Sequence, residues 1–110
     1  MRIRTERLAQ TIKKEVSEII QFSLKDRRVG FVTVTDVTVT NDLSFAKIYI
    51  NILDDEIKAK ERFDNLKKAK GFIRSELAKK LTTYKVPQLI FIFDESLKKG
   101  NRIEEIIKNL

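Results

Sequence analysis

The sequence contains no cysteine and no histidine. Without cysteine there is no disulfide framework, no thiolate nucleophile and no thiolate metal site, a composition that suits a reducing compartment. Without histidine the chain lacks the commonest general base, the usual nucleophile partner and the commonest metal ligand. Glycine occurs only at positions 30, 71 and 100, too scattered to form a phosphate-cradling loop. The acidic pairs Asp54/Asp55, Asp94/Glu95 and Glu104/Glu105 are adjacent in sequence. Neighbouring side chains on a helix or strand point apart, so these pairs read as caps or solvated faces rather than acid–base couples. The absences argue against an enzyme and call for no cofactor, no metal and no small-molecule substrate.

Long hydrophobic runs are missing as well. The N-terminus, Met1-Arg2-Ile3-Arg4-Thr5-Glu6-Arg7, is not followed by the apolar core of a secretory signal. No stretch approaches the roughly 20 apolar residues of a membrane span. A soluble, cytoplasmic chain with no membrane partner is expected.

What the sequence does hold is charge and a core. Its 110 residues, 42% of them apolar, suffice for one domain, taken as residues 1–110. The net charge of +7 favours a polyanionic partner. Between Lys67 and Lys85, seven basic residues (Lys67, Lys68, Lys70, Arg74, Lys79, Lys80, Lys85) face Glu76 alone. A second surplus lies in the first 28 residues, which include Arg4, Arg7, Arg27 and Arg28. Solvated lysines covering apolar surface could account for such runs. Their concentration around a break in helical periodicity favours polyanion binding. Membrane-surface binding would need lipid-facing apolar anchors, whereas Phe72, Ile73, Leu77 and Leu81 read as core. No recognition-helix signature supports duplex reading, so RNA recognised by shape and backbone fits better.

The periodicities predict an α-β-β-α-α-β-α order. Leu8, Ile12, Val16, Ile19, Ile20 and Leu24 mark a helix from Thr5, its expected N-cap, to Leu24. A first strand spans residues 31–40, with a phase slip near Asp36 that predicts a bulge. A second spans 44–53, with Ala46, Ile48, Ile50 and Ile52 on a buried face and Phe45, Lys47, Tyr49 and Asn51 on a wet one. Asp54-Asp55-Glu56 caps a helix running through Ala69. A second helix then resumes to Thr82 or Thr83, and Leu89–Phe93 reads as a strand apolar on both faces. A last helix covers 101–109. The fold class is α+β: one mixed three-stranded sheet packed on helices, with the first strand central and the third parallel to it.

At Ala69-Lys70-Gly71 the helical pattern shifts phase, predicting a kink between two helices. A straight helix over residues 56–82 would be about 40 Å long, more than such a sheet covers. Gly71 is expected to supply the unusual backbone angles and Ala69 the close approach.

Several segments, taken in order, resemble the ribosome-binding factor A family: Asp26-Arg27-Arg28-Val29-Gly30; Asp42-Leu43-Ser44-Phe45-Ala46-Lys47-Ile48-Tyr49; Ala69-Lys70-Gly71-Phe72-Ile73-Arg74; Val86-Pro87-Gln88-Leu89-Ile90-Phe91; and Asp94 to Ile103. The resemblance implies a KH type II-like αββααβ fold with a C-terminal helix. It also implies a helix–kink–helix in place of the GxxG loop that clamps nucleotides in ordinary KH domains. It further implies a cytoplasmic, non-enzymatic factor that binds the immature small (30S) ribosomal subunit and its 16S rRNA. Such a factor assists rRNA processing and late maturation, with a role in cold adaptation, and a monomer is expected. The candidate RNA contacts are then Lys67, Lys68, Lys70, Arg74, Lys79, Lys80, Lys85, Arg27, Arg28, Arg4 and Arg7. Two features depart from the family pattern: Arg27 stands where the family usually has proline, and the sequence ends at Leu110 without the charged tail of some members. The alternatives are a free-standing KH-like RNA binder with other targets, which the missing GxxG opposes, and a protein-interaction scaffold, which the basic concentration opposes.

Overall fold

The alternation along Ala46, Ile48 and Ile50 places every second side chain of one strand in the core at 0% exposure, and that strand is the centre of the sheet. The computed structural model describes residues 2–24, 26–81 and 85–94, with side chains from residue 4. Its elements are α1 (Arg2–Glu18), β1 (Thr33–Val39), β2 (Phe45–Asn51), α2 (Glu56–Lys68), α3 (Lys70–Lys80) and β3 (Gln88–Phe93). The architecture is the α+β, KH-like arrangement of helices on a mixed sheet. The segment assigned to a last helix lies outside the described residues.

The sheet order is β1-β2-β3, with β1 antiparallel and β3 parallel to β2. This corrects the expectation that β1 is central and pairs with β3. The bulge lies in the β1–β2 ladder. Thr33 and Val34 pair with Asn51 and Ile50, Asp36 pairs with Tyr49, and Thr35 is the extra residue. Such an interruption is tolerated on an edge strand, while the β2–β3 ladder runs without a break from Phe45 and Gln88 to Ile50 and Phe93. The α2–α3 crossover then returns the chain to the free side of β2.

α1 begins at Arg2, so Thr5 is an interior helical residue and not the N-cap. Arg and Ile are competent helix formers, and nothing upstream of Thr5 stops the helix. After Glu18 the helix widens into a π turn, Ile19–Ser23, closed by the Leu24 N–H donating to the Ile19 carbonyl at 2.8 Å. The wider turn keeps both Ile19 and Ile20 in the core. Leu8, Ile12 and Val16 on α1, Leu66 on α2, and Ile73 and Leu77 on α3 are all fully buried with Ile48 and Ile50.

Three further positions differ from the expectations. Phe72 is 43% exposed, because helical phase restarts at Lys70 and turns Ile73 and Leu77 inward instead. Asn51 is buried, because Asp94 continues alongside the end of β2 and the Asn51 Nδ2 donates to its carbonyl at 3.0 Å. β3 is apolar in sequence, but only Leu89 and Phe91 are buried, and Ile90 faces solvent on the open side of the sheet. Asp55 caps α2 as expected, its carboxylate accepting from the Lys58 N–H at 2.9 Å. Phe63 of α2 meets Phe93 of β3 edge to face, 5.8 Å between centroids, and pins the crossover to the sheet.

Candidate nucleic-acid interface

The two helices of the crossover meet at one residue. Ala69 has φ −84° and ψ 3°, which ends α2 and begins α3. Its N–H still donates to the Asn65 and Leu66 carbonyls, and its own carbonyl accepts from Ile73 N–H at 3.0 Å. One helix therefore gives way to the next at a residue that keeps its own backbone hydrogen bonds on both sides. These backbone angles are open to alanine. Gly71 already lies inside α3, and a Cβ built on it meets nothing within 4 Å. The break rests on Ala69 and not on a glycine's conformational freedom.

Around the break, Lys67, Lys68, Lys70, Lys79 and Lys80 are exposed. Lys67 sits 4.8 Å above the Phe63 ring and 3.4 Å from Asp64. Lys79 reaches Glu76 at 3.1 Å. These are exposed, weak pairings that a phosphate can replace. Arg74 differs from the rest. It is half-buried, with Nε donating to the Pro87 carbonyl at 3.0 Å and Nη2 to the Val86 carbonyl at 2.8 Å. This fork fixes the entry into β3. Lys85 is exposed near the hairpin turn, where the Ser44 N–H, and last of all the Lys85 charge, hold the Asp42 carboxyl below its usual range. Arg4 and Arg7 are exposed on α1.

Arg27 and Arg28 take part in a second arrangement. The loop 26–30 lies against the outer face of α2, and between them is a cleft of about 290 Å³ lined by Arg27, Arg28, Lys58, Glu61, Arg62 and Asn65. Arg28 is held by Asp26, with Nε to Oδ1 at 3.1 Å and Nη2 to Oδ2 at 3.0 Å. These hydrogen bonds, first from the guanidinium and then from the Arg28 N–H, hold the Asp26 carboxyl below its usual range. Arg62 Nε donates to Asp54 Oδ2 at 3.0 Å and Nη1 to the Arg27 carbonyl at 3.5 Å. The Asp55 N–H, followed by Arg62, lowers the Asp54 carboxyl likewise. Asn65 Nδ2 donates to the Arg28 carbonyl at 3.3 Å.

Lys58, Arg62 and Asn65 are members of this arrangement that sequence reasoning missed. Their spacing of four and three residues was a usable signal, since it places them on one helix face. Summed charge concealed it, because Glu56, Glu61 and Asp64 cancel Lys58, Lys60 and Arg62 over residues 56–66. Lys68, three residues beyond Asn65, extends the same face toward the break at Ala69. Among the described residues no group of histidine, cysteine, aspartate and glutamate could hold a metal ion, and no helix is long and apolar enough to cross a membrane.

Known proteins match this arrangement over most of its length. The family model described as ribosome-binding factor A matches residues 4–107. Ribosome-binding factor A of Staphylococcus carnosus (strain TM300) is 47% identical over 109 residues, covering 99% of this chain and 95% of that one. The crystal structure of ribosome-binding factor A from Thermus thermophilus superposes with a TM-score of 0.69 at 26% identity, covering 80% of this chain and 93% of that one. The Thermus thermophilus homology model fitted into the cryo-EM map of a 30S complex superposes with a TM-score of 0.65 at 25% identity, covering 79% and 91%. With sequence and fold agreeing across nearly the full chain, this protein belongs to the ribosome-binding factor A family.

Proposed function

We propose that the chain is an assembly factor that binds the immature small ribosomal subunit through its 16S rRNA, and that it assists rRNA processing and late subunit maturation, including in the cold. It acts in the cytoplasm as a single copy and turns over no substrate. The observation that carries this reading is the agreement with ribosome-binding factors A over the whole chain, supported by the likeness to the coordinates fitted into a 30S complex.

The geometry supplies a physical route. The helix break presents Lys68 and Lys70 at the junction of two helices, with Lys67, Lys79 and Lys80 beside them. The cleft adds Arg27 and Arg28 from the loop, Lys85 lies by the hairpin, and Arg4 and Arg7 extend the basic surface along α1. Cations in this number neutralise backbone phosphates and release counterions, so affinity comes largely from charge and shape. Arg74 acts as a strut that holds the Val86–Pro87 entry to β3. No GxxG sequence occurs in the chain, which disfavours a general single-stranded RNA clamp.

Sucrose-gradient sedimentation of cell extract tests this. The protein is expected to travel with small subunits and their precursors at low salt and to leave them at high salt. A protein that stays at the top of the gradient at low salt contradicts the proposal.

A further inference from the structure

The geometry points to the cleft between the loop 26–30 and α2 as a site for one phosphate group; this rests on the reading of the chain as an RNA-binding factor and names a ligand for part of its basic surface. Four cations, Arg27, Arg28, Lys58 and Arg62, line it against Glu61 alone. Two of the four are already oriented by carboxylates: Arg28 by Asp26 and Arg62 by Asp54, each at 3.0 Å. The other two, Arg27 and Lys58, have no carboxylate within ion-pair distance among the described residues. Arg28 spends Nε and Nη2 on Asp26, and Arg62 spends Nε on Asp54 and Nη1 on the Arg27 carbonyl, so each retains further N–H groups, and a phosphate is the anion that guanidinium forks match.

Two further contacts keep the walls together without an anion. Asn65 binds the Arg28 carbonyl and Arg62 the Arg27 carbonyl, so the loop backbone is tied to α2 at two neighbouring residues. The site is therefore built before it is filled, which lowers the ordering cost of binding. At about 290 Å³ the cleft lies at the lower edge of small-ligand pockets and has room for a phosphate group. The phosphate can come from an RNA backbone or from a free phosphorylated small molecule.

Two-dimensional ¹⁵N NMR of the full chain at low ionic strength tests the site with three probes: inorganic phosphate, uridine monophosphate and a short single-stranded RNA. Chloride at matched ionic strength is the control. Phosphate is expected to shift the amides of Arg28, Val29 and Gly30, the Nε–H of Arg28 and Arg62, and the Asn65 side chain, and to saturate. Arg27→Gln and Lys58→Gln are each expected to weaken this about tenfold, the cost of one charge-assisted hydrogen bond, whereas Lys47→Gln on the open sheet face leaves it unchanged. RNA that displaces phosphate from the same signals identifies a backbone source; a mononucleotide that saturates them undisplaced by RNA identifies a free one. Shifts that chloride reproduces, or that survive both Gln variants, overturn the site. If the chain binds small subunits while its cleft takes no phosphate, the site fails and the function stands. If the cleft saturates in a chain that never sediments with subunits, the site stands and the function fails.

Discussion

The Arg62 guanidinium lies over Gly30, in the space where any other residue would place its Cβ. Gly30 has φ +68°, a conformation that L side chains rarely adopt, so glycine is required there for backbone angle and for space at once. Gly30→Ala is expected to destabilise the domain by about 1–2 kcal/mol from the left-handed backbone alone, with displacement of Arg62 adding to it. Urea unfolding measures the loss. The Arg62 Nε–H signal, which reports the ion pair with Asp54, should move in the same variant. An unperturbed stability and an unmoved Arg62 signal would contradict the packing described.

The other described glycine behaves oppositely. Gly71 is helical, and a Cβ there meets open space. Gly71→Ala is expected to stabilise the protein by up to about 1 kcal/mol, the ordinary helix-interior difference, with subunit binding unchanged. Ala69→Gly is expected to leave the kink in place, because the break depends on the backbone angles of that residue and not on its side chain.

Arg74 and Lys70 separate stability from binding. Arg74→Ala removes two hydrogen bonds from a charged donor to the Pro87 and Val86 carbonyls, and a loss of about 1.5–3 kcal/mol is expected in thermal or urea unfolding. Arg74→Lys should recover little, since an ammonium cannot reproduce the fork. The Lys70 side chain has no hydrogen-bond or ion-pair partner among the described residues, and Lys70→Ala is expected to weaken subunit binding while the unfolding midpoint stays put. Equal effects of both variants on stability would contradict this division.

Acid sensitivity follows from Asp26, Asp42 and Asp54. All three carboxyls are held below their ordinary value of 3.8 in the folded protein. A depressed folded value means a stabilising contribution that is fully present above the ordinary value and is lost as pH falls through the folded values. Stability is expected to be flat near neutral pH and to decline below about pH 4. Asp26→Asn should remove part of that decline. A wild-type decline that begins near pH 6 would point to other groups.

Much of the fold was legible because period and capping agree with it. The slip at Asp36 appeared in sequence as a change of phase and in the structure as the extra residue Thr35. Asp55 announced the start of α2 by composition alone. The position of β2 was not legible, since strand order depends on which edge receives the crossover, and local pattern carries no information about that. The exposure of Phe72 was hidden because the break resets helical phase by an amount that only the angles at Ala69 reveal. Within the basic surface, the run from Lys67 to Lys85 was visible as summed charge. The cleft was not, because it joins Arg27 and Arg28 to Lys58 and Arg62, which lie at least 30 positions further on, in the stretch 56–66 where charges cancel. Nor could sequence separate Arg74 from its basic neighbours, since its carbonyl partners are set by the path of the chain into β3.

The most direct test of the central claim is the affinity of the purified chain for immature small subunits as a function of salt. About four phosphate contacts, from Lys67, Lys68, Lys70 and Lys79 around the break, predict that log K falls with log salt at a slope of roughly −3 to −4, shallower by about one unit in Lys70→Ala and again in Lys68→Ala. No measurable affinity at low salt, or an affinity indifferent to salt and to both variants, would contradict the account.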